Sequence, residues 1–413
     1  MFNSLLYISR RQALLFCLLL AFFELLTYIA SDAIMPGMLA VVADFHAEPH
    51  YVPWSLNAYL LGGVAFQWLL GPLSDCHGRR PLLLAGSALF AIACVITPFT
   101  VTIEQFTALR FIQGMGLGFV VVVSYPALQE SFNEADAIRL IAIIANIALL
   151  SPLLGPLLGS VLLTWISWQS LFILLAAFAA LCTLGLLRWM PETLGVTRRD
   201  ASTLARQPFN LKSLARTYGE LLRNRRFLAG CAALGLTGLP LMAWIALSPL
   251  LLVKNLDMSN LEYALWQLPI FGALISGNIT LNFIADKYVL SRLLFLSSIP
   301  LFAGLVIALI STLLFDSIYV LAAGLGIYAF GLGICNATLY RLTLFSSSHG
   351  MGSVSAMLGM ISVGIFSLGG TLLALLGAGE SLVDFIVLTA LPALVALLLI
   401  KTLLTRTDEP VAA

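Results

Sequence analysis

The chain has 413 residues, of which 60% are hydrophobic and 10% are charged, and its net charge at pH 7 is +1. Soluble globular domains are about 25% charged, so these values exclude a soluble enzyme, a disordered chain and a nucleic-acid-binding protein. The apolar runs are continuous over about 20 residues and do not alternate with polar residues, which favours membrane helices over a β-barrel. The sequence therefore predicts an all-α integral membrane protein.

Apolar runs bounded by charges, proline and glycine predict twelve transmembrane helices. The predicted spans are 13–35, 51–73, 81–103, 105–130, 137–163, 168–190, 227–252, 262–284, 289–313, 317–341, 351–377 and 381–403. They form an N-terminal six-helix bundle in 1–190 and a C-terminal six-helix bundle in 227–413, joined by a cytoplasmic linker in 191–226. Within the linker, 209–224 is either an amphipathic interfacial helix or simply basic chain near anionic lipid.

The positive charges predict how the chain is oriented in the membrane. If the N-terminus is cytoplasmic, 19 of the 21 Lys and Arg residues fall in inner loops or at inner helix ends. The exceptions are Lys254, in an outer loop, and Arg110, inside a span. By the positive-inside rule both termini are then cytoplasmic, and the first helix is an uncleaved span.

Three charged side chains lie within the apolar spans: Glu24, Asp32 and Arg110. Glu24, Tyr28 and Asp32 are spaced four residues apart in the first span and share one helical stripe, with the two acids about 12 Å apart along the axis. Arg110, in the fourth span, lies at a depth similar to that of Asp32. Each charge costs about 2.5–3.5 kcal/mol on insertion scales, so we expect all three to face a protected, partly wet interior.

These residues support a hypothesis of proton exchange. Buried carboxylates can load and release protons, and a cationic substrate would favour the ionised acids and so displace those protons. This competition is sufficient for antiport. The alternative is that Asp32 and Arg110 form a pair that only holds two helices together.

The loop after the second span carries the first recognisable motif. It reads Gly71-Pro-Leu-Ser-Asp75-Cys76-His-Gly78-Arg79-Arg80-Pro. This resembles motif A of the major facilitator superfamily, G-x-L-x-D-R-x-G-R-R. Cys76 departs from the usual arginine, which would hold a charge contact at the cytoplasmic gate with Glu130 as its candidate partner. The alternative for this loop is an ordinary charged turn.

Further motifs extend the resemblance along the chain. Leu109–Gly114 is similar to motif B with its membrane arginine, and Ser151–Gly159 is similar to antiporter motif C. The first span, Leu239–Pro249 and Pro269–Ala273 resemble the corresponding regions of MdfA-type multidrug/proton antiporters. Motif C contains Pro152, Gly155, Pro156 and Gly159, which fit either close helix packing alone or, by analogy with the family, a seal against leak.

The resemblance implies a two-bundle major facilitator fold that exports diverse drugs, including lipophilic cations and neutral compounds, in exchange for protons by alternating access. It implies that Glu24 and Asp32 bind protons or cations and that Arg110 couples protonation to the conformational change. The further cavity residues that it implies are Tyr28, Ser31, Asn146, Pro152, Trp244 and Phe271. The gating residues that it implies are Gly71, Asp75, Gly78, Arg79 and Arg80.

Other functions fit the sequence less well. A narrow-specificity metabolite transporter is the main alternative, and an intramembrane enzyme is an alternative of another class, although no GxSxG or HExxH motif occurs. The sequence contains no Walker A motif, so it gives no indication of ATP-driven transport. We expect no catalytic residue, metal or cofactor other than the proton as coupling ion, and no nucleic-acid partner. The resemblance also implies a bacterial inner-membrane protein that contacts lipid and works as a monomer.

Overall fold

The computed structural model describes residues 4–315, 317–347 and 349–407. Within these ranges, the side chains at 138, 142, 145–149, 311, 313, 402 and 404–407 are not described. The described residues contain α-helices and isolated bridges but no β-strand. The helices are α1 Arg10–Asp32, α2 Met38–Asp44, α3 Val52–Ala65, α4 Gln67–His77, α5 Arg79–Ile96, α6 Ile103–Ser131, α7 Glu134–Leu163, α8 Trp168–Trp189, α9 Leu211–Leu221, α10 Arg225–Ser248, α11 Asn260–Ile284, α12 Leu290–Phe315, α13 Ile318–Leu344, α14 Met351–Leu375 and α15 Leu382–Thr407.

Among the described residues, ten helical segments are long and apolar enough to cross a membrane. The predicted second span is not one of them, because it is divided at Phe66 into α3 and α4. The predicted fifth span corresponds to α7, Glu134–Leu163. The all-helical fold confirms the predicted class and agrees with the twelve-helix architecture. The predicted cytoplasmic position of the termini stays a prediction.

Short polar residues begin several of the helices. Ser9 accepts a hydrogen bond from the backbone of α1, Thr102 from that of α6, Asn133 from that of α7 and Ser167 from that of α8. At α11, Ser259 and Glu262 form a reciprocal capping box. Each cap satisfies a backbone N–H that has no partner inside the helix, so the loops fix where the helices start.

The chain divides into two compact units. The first contains the residues up to Ile34 together with Ala58–Leu214, and the second contains Met35–Asn57 together with the chain from Ala215 onward. In the first unit, α1 packs against α6, α7 and α8, and α5 packs against α6 and α8. Glycines allow close approach there: a Cβ at Gly118 would lie 2.5 Å from the carbonyl oxygen of Gly63.

In the second unit, α10 packs against α13, α14 and α15, and α13 packs against α11 and α12. Met35–Asn57, which precedes the rest of this unit by about 160 residues of chain, is attached to α14 through Asn57. The Asn57 side chain donates to Thr371 Oγ1 at 3.1 Å, and its carbonyl oxygen accepts from Ser367 Oγ at 2.5 Å. A Cβ at Gly370 would lie 2.9 Å from Asn57 Oδ1, so the glycine makes room for the amide.

Candidate functional site

The polar stripe of α1 is buried in the first unit. Glu24 is fully buried, Asp32 and Ser31 are nearly so, and Tyr28 is partly exposed. Because Glu24, Tyr28 and Asp32 are separated by four residues each, the regular helix of Arg10–Asp32 stacks them on one face. Four of the residues predicted for the site therefore lie side by side on one helix.

Glu24 has one hydrogen bond and one oxygen without a partner. Its Oε1 accepts from the hydroxyl of Tyr125 at 3.1 Å, across from α6. Its Oε2 is buried and has no hydrogen-bond partner among the described residues. An ionised carboxylate in this state is costly, because a buried charge needs both a counter-charge and saturated hydrogen bonds. A proton or a cation bound at Oε2 would supply that compensation.

Asp32 is held by two hydroxyl groups. Its Oδ1 accepts from Ser31 Oγ and its Oδ2 accepts from Ser151 Oγ, each at 2.8 Å. Ser151 is fully buried and belongs to α7, directly before Pro152. Hydrogen bonds to a charged acceptor are worth about 1.5–3 kcal/mol each, so the two serines compensate much of the desolvation of this carboxylate.

The glycines of motif C bring α7 against Asp32. A Cβ at Gly155 would lie 2.6 Å from the Cβ of Asp32, and a Cβ at Gly159 would clash with the carbonyl oxygen of Ala33. Only glycine lets the two backbones approach this closely. The close packing that the motif predicts is therefore directed at the acid of α1, with Pro152 partly exposed beside it and Pro156 buried.

Arg110 lies in a polar cluster between α1, α5 and α6. It is fully buried, and it donates from Nη1 to Gln113 Oε1 at 2.7 Å and from Nη2 to the carbonyl oxygen of Ser31 at 3.1 Å. Gln113 in turn donates to Thr97 Oγ1 at 2.7 Å. Arg110 therefore contacts the residue next to Asp32, and its charge and that of Asp32 are close enough to attract each other.

An aromatic side chain covers the guanidinium of Arg110. The ring centroid of Tyr59 lies 4.6 Å from its central carbon, a cation–π distance. The Tyr59 hydroxyl donates to the carbonyl oxygen of Thr27 on α1 at 2.5 Å. These contacts join α1, α3 and α6 around the Arg110 cation. The groups that make them in the described part of the chain are neutral and belong to Thr27, Ser31 and Tyr59.

The motif A residues form a second polar cluster in the same unit. Arg79 Nη2 lies 2.6 Å from Asp75 and 2.8 Å from Glu130, and Arg79 also donates to Ser74 Oγ. Thr193, from the linker, donates to the second oxygen of Glu130 at 2.5 Å. Glu130 was the candidate partner for the arginine that Cys76 replaces. In the structure Arg79 pairs with Glu130, and the same guanidinium also pairs with Asp75.

Glu192 completes this cluster and was not predicted from the sequence. Its carboxylate accepts from the backbone N–H groups of Arg79 and Arg80, at 3.0 and 3.3 Å, and so caps the start of α5. Gly78 has a φ of +108°, and a Cβ there would overlap Glu192. Arg80 donates to the carbonyl oxygen of Leu187, and a Cβ at Gly71 would lie 3.9 Å from Val122, which is an ordinary contact. Motif A is therefore a capped helix start locked by linker residues.

The remaining predicted residues lie elsewhere. Trp244 and Phe271 belong to the second unit and are fully buried there. Trp244 Nε1 donates to Gln267 Oε1 at 2.8 Å, and Gln267 donates to Ser248 Oγ at 3.3 Å. The side chain of Asn146 lies outside the described residues. Among the His, Cys, Asp and Glu residues that the structure describes, no cluster of three or more could hold a metal ion.

The chain is similar to known transporters. A model of the Major Facilitator Superfamily matches residues 20–370. The chain is 49% identical over 360 residues to "Multidrug transporter MdfA" from Yersinia pestis bv. Antiqua (strain Angola), covering 87% of this chain and 86% of the relative. It is 48% identical over the same length and the same shares to the protein of that name from Edwardsiella ictaluri (strain 93-146). The solved structure of a D-xylose-proton symporter superposes with a TM-score of 0.74 at 14% identity, covering 94% of this chain and 97% of that one, which shows a shared fold.

Proposed function

Because the chain belongs to the major facilitator superfamily, we propose that it exports structurally diverse drugs from the cell in exchange for protons. It is a multi-pass membrane transporter and not an enzyme. The named multidrug transporters at 47–49% identity support drugs as the substrate class. In the proposal, lipophilic cations and neutral compounds are both substrates, and alternating access of two bundles carries them across.

The observation that carries proton coupling is the buried Glu24 carboxylate. One of its oxygens has no hydrogen-bond partner among the described residues, and the other is held only by the weak acid Tyr125 in the described contacts. A proton or a substrate cation would neutralise the same charge, so each displaces the other. Binding of one cation and release of one proton at this carboxylate is the elementary step of antiport.

Asp32 and Arg110 have a different part in the proposal. Asp32 keeps two serine donors, so it binds cations through an acid that is already solvated by hydroxyls. Arg110 donates to the carbonyl oxygen of Ser31, beside that acid. A change of charge at Asp32 alters the attraction to Arg110 and the hydrogen bonds that join α1 to α6. Arg110 would in this way transmit protonation to helix packing.

Proton release on substrate binding tests the proposal. Tetraphenylphosphonium is added to the purified protein in weakly buffered detergent solution, and a pH-indicating dye records the protons that are released. We expect release from the wild type and loss of release in the double variant Glu24→Gln/Asp32→Asn. Glu134→Gln, an exposed acid on α7, is the matched control and should release protons normally.

The outcomes separate the proposed function from its alternative. Transport of a neutral drug should persist in the single variants Glu24→Gln or Asp32→Asn when transport of the cation is lost, because the remaining acid still exchanges a proton whereas the cation has lost one of its charge partners. Tight binding of tetraphenylphosphonium without proton release by the wild type would refute direct competition. Failure of the wild type to bind any drug would favour the narrow-specificity metabolite transporter.

A further inference from the structure

A groove opens on the membrane-facing side of the second unit, between α11 and α13. Its volume is about 450 Å³, and it is lined by Trp266, Pro269, Ala273, Tyr319, Gly326 and Phe330 among others. Several flanking side chains are apolar and exposed, including Leu265, Leu268 and Ile327. Both helices are long and apolar enough to cross a membrane, so this surface faces lipid.

The groove exists because two glycine-rich helices touch at one level and separate at another. A Cβ at Gly333 would lie 2.8 Å from the backbone nitrogen of Asn278, and one at Gly277 would clash with the carbonyl oxygen of Phe330. Nearer the starts of the helices, a Cβ at Gly326 would lie 3.7 Å from the Pro269 carbonyl oxygen, and one at Gly272 would meet nothing within 4 Å. The helices therefore diverge toward their N-terminal ends.

The length of the groove matches one leaflet of a bilayer. Tyr319 and Phe330 are eleven residues apart on α13, about 16 Å along the axis, and half of a hydrocarbon core of about 30 Å is about 15 Å. In the predicted topology both helices start on the outer side, so the groove spans the outer leaflet. Trp266 and Tyr319 lie at its mouth with ring centroids 5.2 Å apart, as aromatic residues do at the membrane–water interface.

The volume of the groove decides between occupants. Over a length of about 16 Å, a protein helix about 10 Å across would need on the order of 1,300 Å³, roughly three times the groove's volume of about 450 Å³. A protein helix is about 10–12 Å across and does not fit, whereas a single alkyl chain does. The groove is lined by no Asp, Glu, Lys or Arg among the described residues, so no carboxylate there would pair with a cationic drug.

We propose that the groove between α11 and α13 binds one acyl chain of an outer-leaflet phospholipid, with the ester region of the lipid against Trp266 and Tyr319. The chain fills a space that neither helix can close while the glycine contact at Gly277 and Gly333 holds. Because lipid tails are as apolar as the lining, packing in the groove and the aromatic mouth provide the selectivity. This site is separate from the acids of α1 and does not depend on proton coupling.

Native mass spectrometry of the detergent-purified chain tests the proposal. The probe is a phosphatidylcholine with brominated acyl chains, which changes the mass of the complex and quenches tryptophan fluorescence on contact. After excess lipid has been removed, we expect one retained lipid per chain. We also expect fluorescence quenching in the wild type that is reduced in Trp266→Phe. No retained lipid in the wild type would overturn the proposal.

Two variants fill the groove from different positions. Gly326→Phe and Ala323→Phe both replace a small lining residue by a ring, and a Cβ at Gly326 meets nothing closer than 3.7 Å. Each should reduce the lipid-bound fraction about tenfold, whereas Gly364→Phe, on α14 with open space at its Cβ, should not. Equal lipid retention in all three variants would overturn the proposal. Displacement of the lipid by tetraphenylphosphonium would overturn it too, because the groove would then be a drug site.

Discussion

Two of the buried arginines of the first unit, Arg110 and Arg79, have different surroundings. Arg110, in the membrane-spanning part of α6, donates to an amide and a carbonyl oxygen and lies over the ring of Tyr59. Arg79, at the start of α5, lies between the carboxylates of Asp75 and Glu130. In the described contacts, neutral groups hold the guanidinium of Arg110, and the charge of Asp32 attracts it. The carboxylates of Asp75 and Glu130 neutralise the charge of Arg79 locally.

The difference shows how one fold can use the same residue type for two purposes. An arginine held by carboxylates is a structural clamp, because breaking the pair leaves a buried charge without a counter-charge. An arginine held by dipoles and a ring keeps long-range electrostatic influence in a medium of low dielectric constant. The cluster around Arg79 should therefore govern stability, and the cluster of Asp32 and Arg110, called the membrane cluster below, should govern transport.

The largest effects are expected in the cluster around Arg79. Arg79→Gln leaves the half-buried Glu130 carboxylate without its counter-charge and with only the hydrogen bond from Thr193 among the described contacts, which should lower the free energy of unfolding by about 2 kcal/mol. Arg139→Gln is the matched control, because its pair with Asp136 is 3.8 Å long and Arg139 is exposed, so a loss below about 0.5 kcal/mol is expected. Thermal unfolding in detergent measures both variants. Equal melting temperatures would contradict the role of Arg79 as a clamp.

Gly78 tests the same cluster from the backbone. Gly78→Ala must hold a φ of +108° and displace Glu192 from the start of α5, so a loss of about 2 kcal/mol is expected. Gly219→Ala, in α9 with nothing within 4 Å of its Cβ, should instead stabilise the chain by about 0.5 kcal/mol or more. Chemical denaturation of both variants checks the sign. A stable Gly78→Ala would show that the cap at Glu192 is dispensable.

The sequence was sufficient to single out the charged residues of the candidate site. Glu24, Asp32 and Arg110 stand out because a charge inside an apolar run is costly wherever it faces. The helices and the family motifs were also predictable, and the family model and the relatives confirm that interpretation. The break at Phe66 was not predicted, because no proline or charge marks it in the sequence.

The neutral partners could not be predicted. Ser151 and Tyr125 look like ordinary residues of apolar helices, and only the fold shows that their hydroxyls point at Asp32 and Glu24. Their one signal is position, since Ser151 is the first residue of the motif C segment and Tyr125 precedes a proline within α6. Glu192 is 113 residues from Arg79, and its contact depends on the path of the linker.

Ser151 is the test of the membrane cluster. Ser151→Ala removes one of the two hydroxyls on Asp32 and should reduce transport of a lipophilic cation about tenfold, a loss of about 1.4 kcal/mol, with little change in melting temperature. Ser160→Ala is the control on the same helix, because that hydroxyl bonds only to the carbonyl oxygen of Leu157 in the described contacts. A large fall in melting temperature without loss of transport would reverse the comparison between the two clusters.

The smallest effect is expected at an exposed carboxylate, which sets the lower limit of the comparison. Glu220 lies on α9. A hydrogen bond of 2.9 Å from Arg216, and to a lesser extent one of 2.7 Å from His349, holds the pKa of the Glu220 carboxyl below its ordinary value. This contact therefore stabilises the folded state above the ordinary pKa of glutamate, about 4.3. The stabilisation is lost as the pH falls through the lower pKa of the folded state. Cleavage of the linker by an acid-active protease should rise below about pH 4 in the wild type. In Glu220→Gln the contact is weakened at every pH, so its cleavage should already be raised at pH 5–6 and should change less with pH. The same pH profile in both proteins would show that Glu220 does not hold α9 in place.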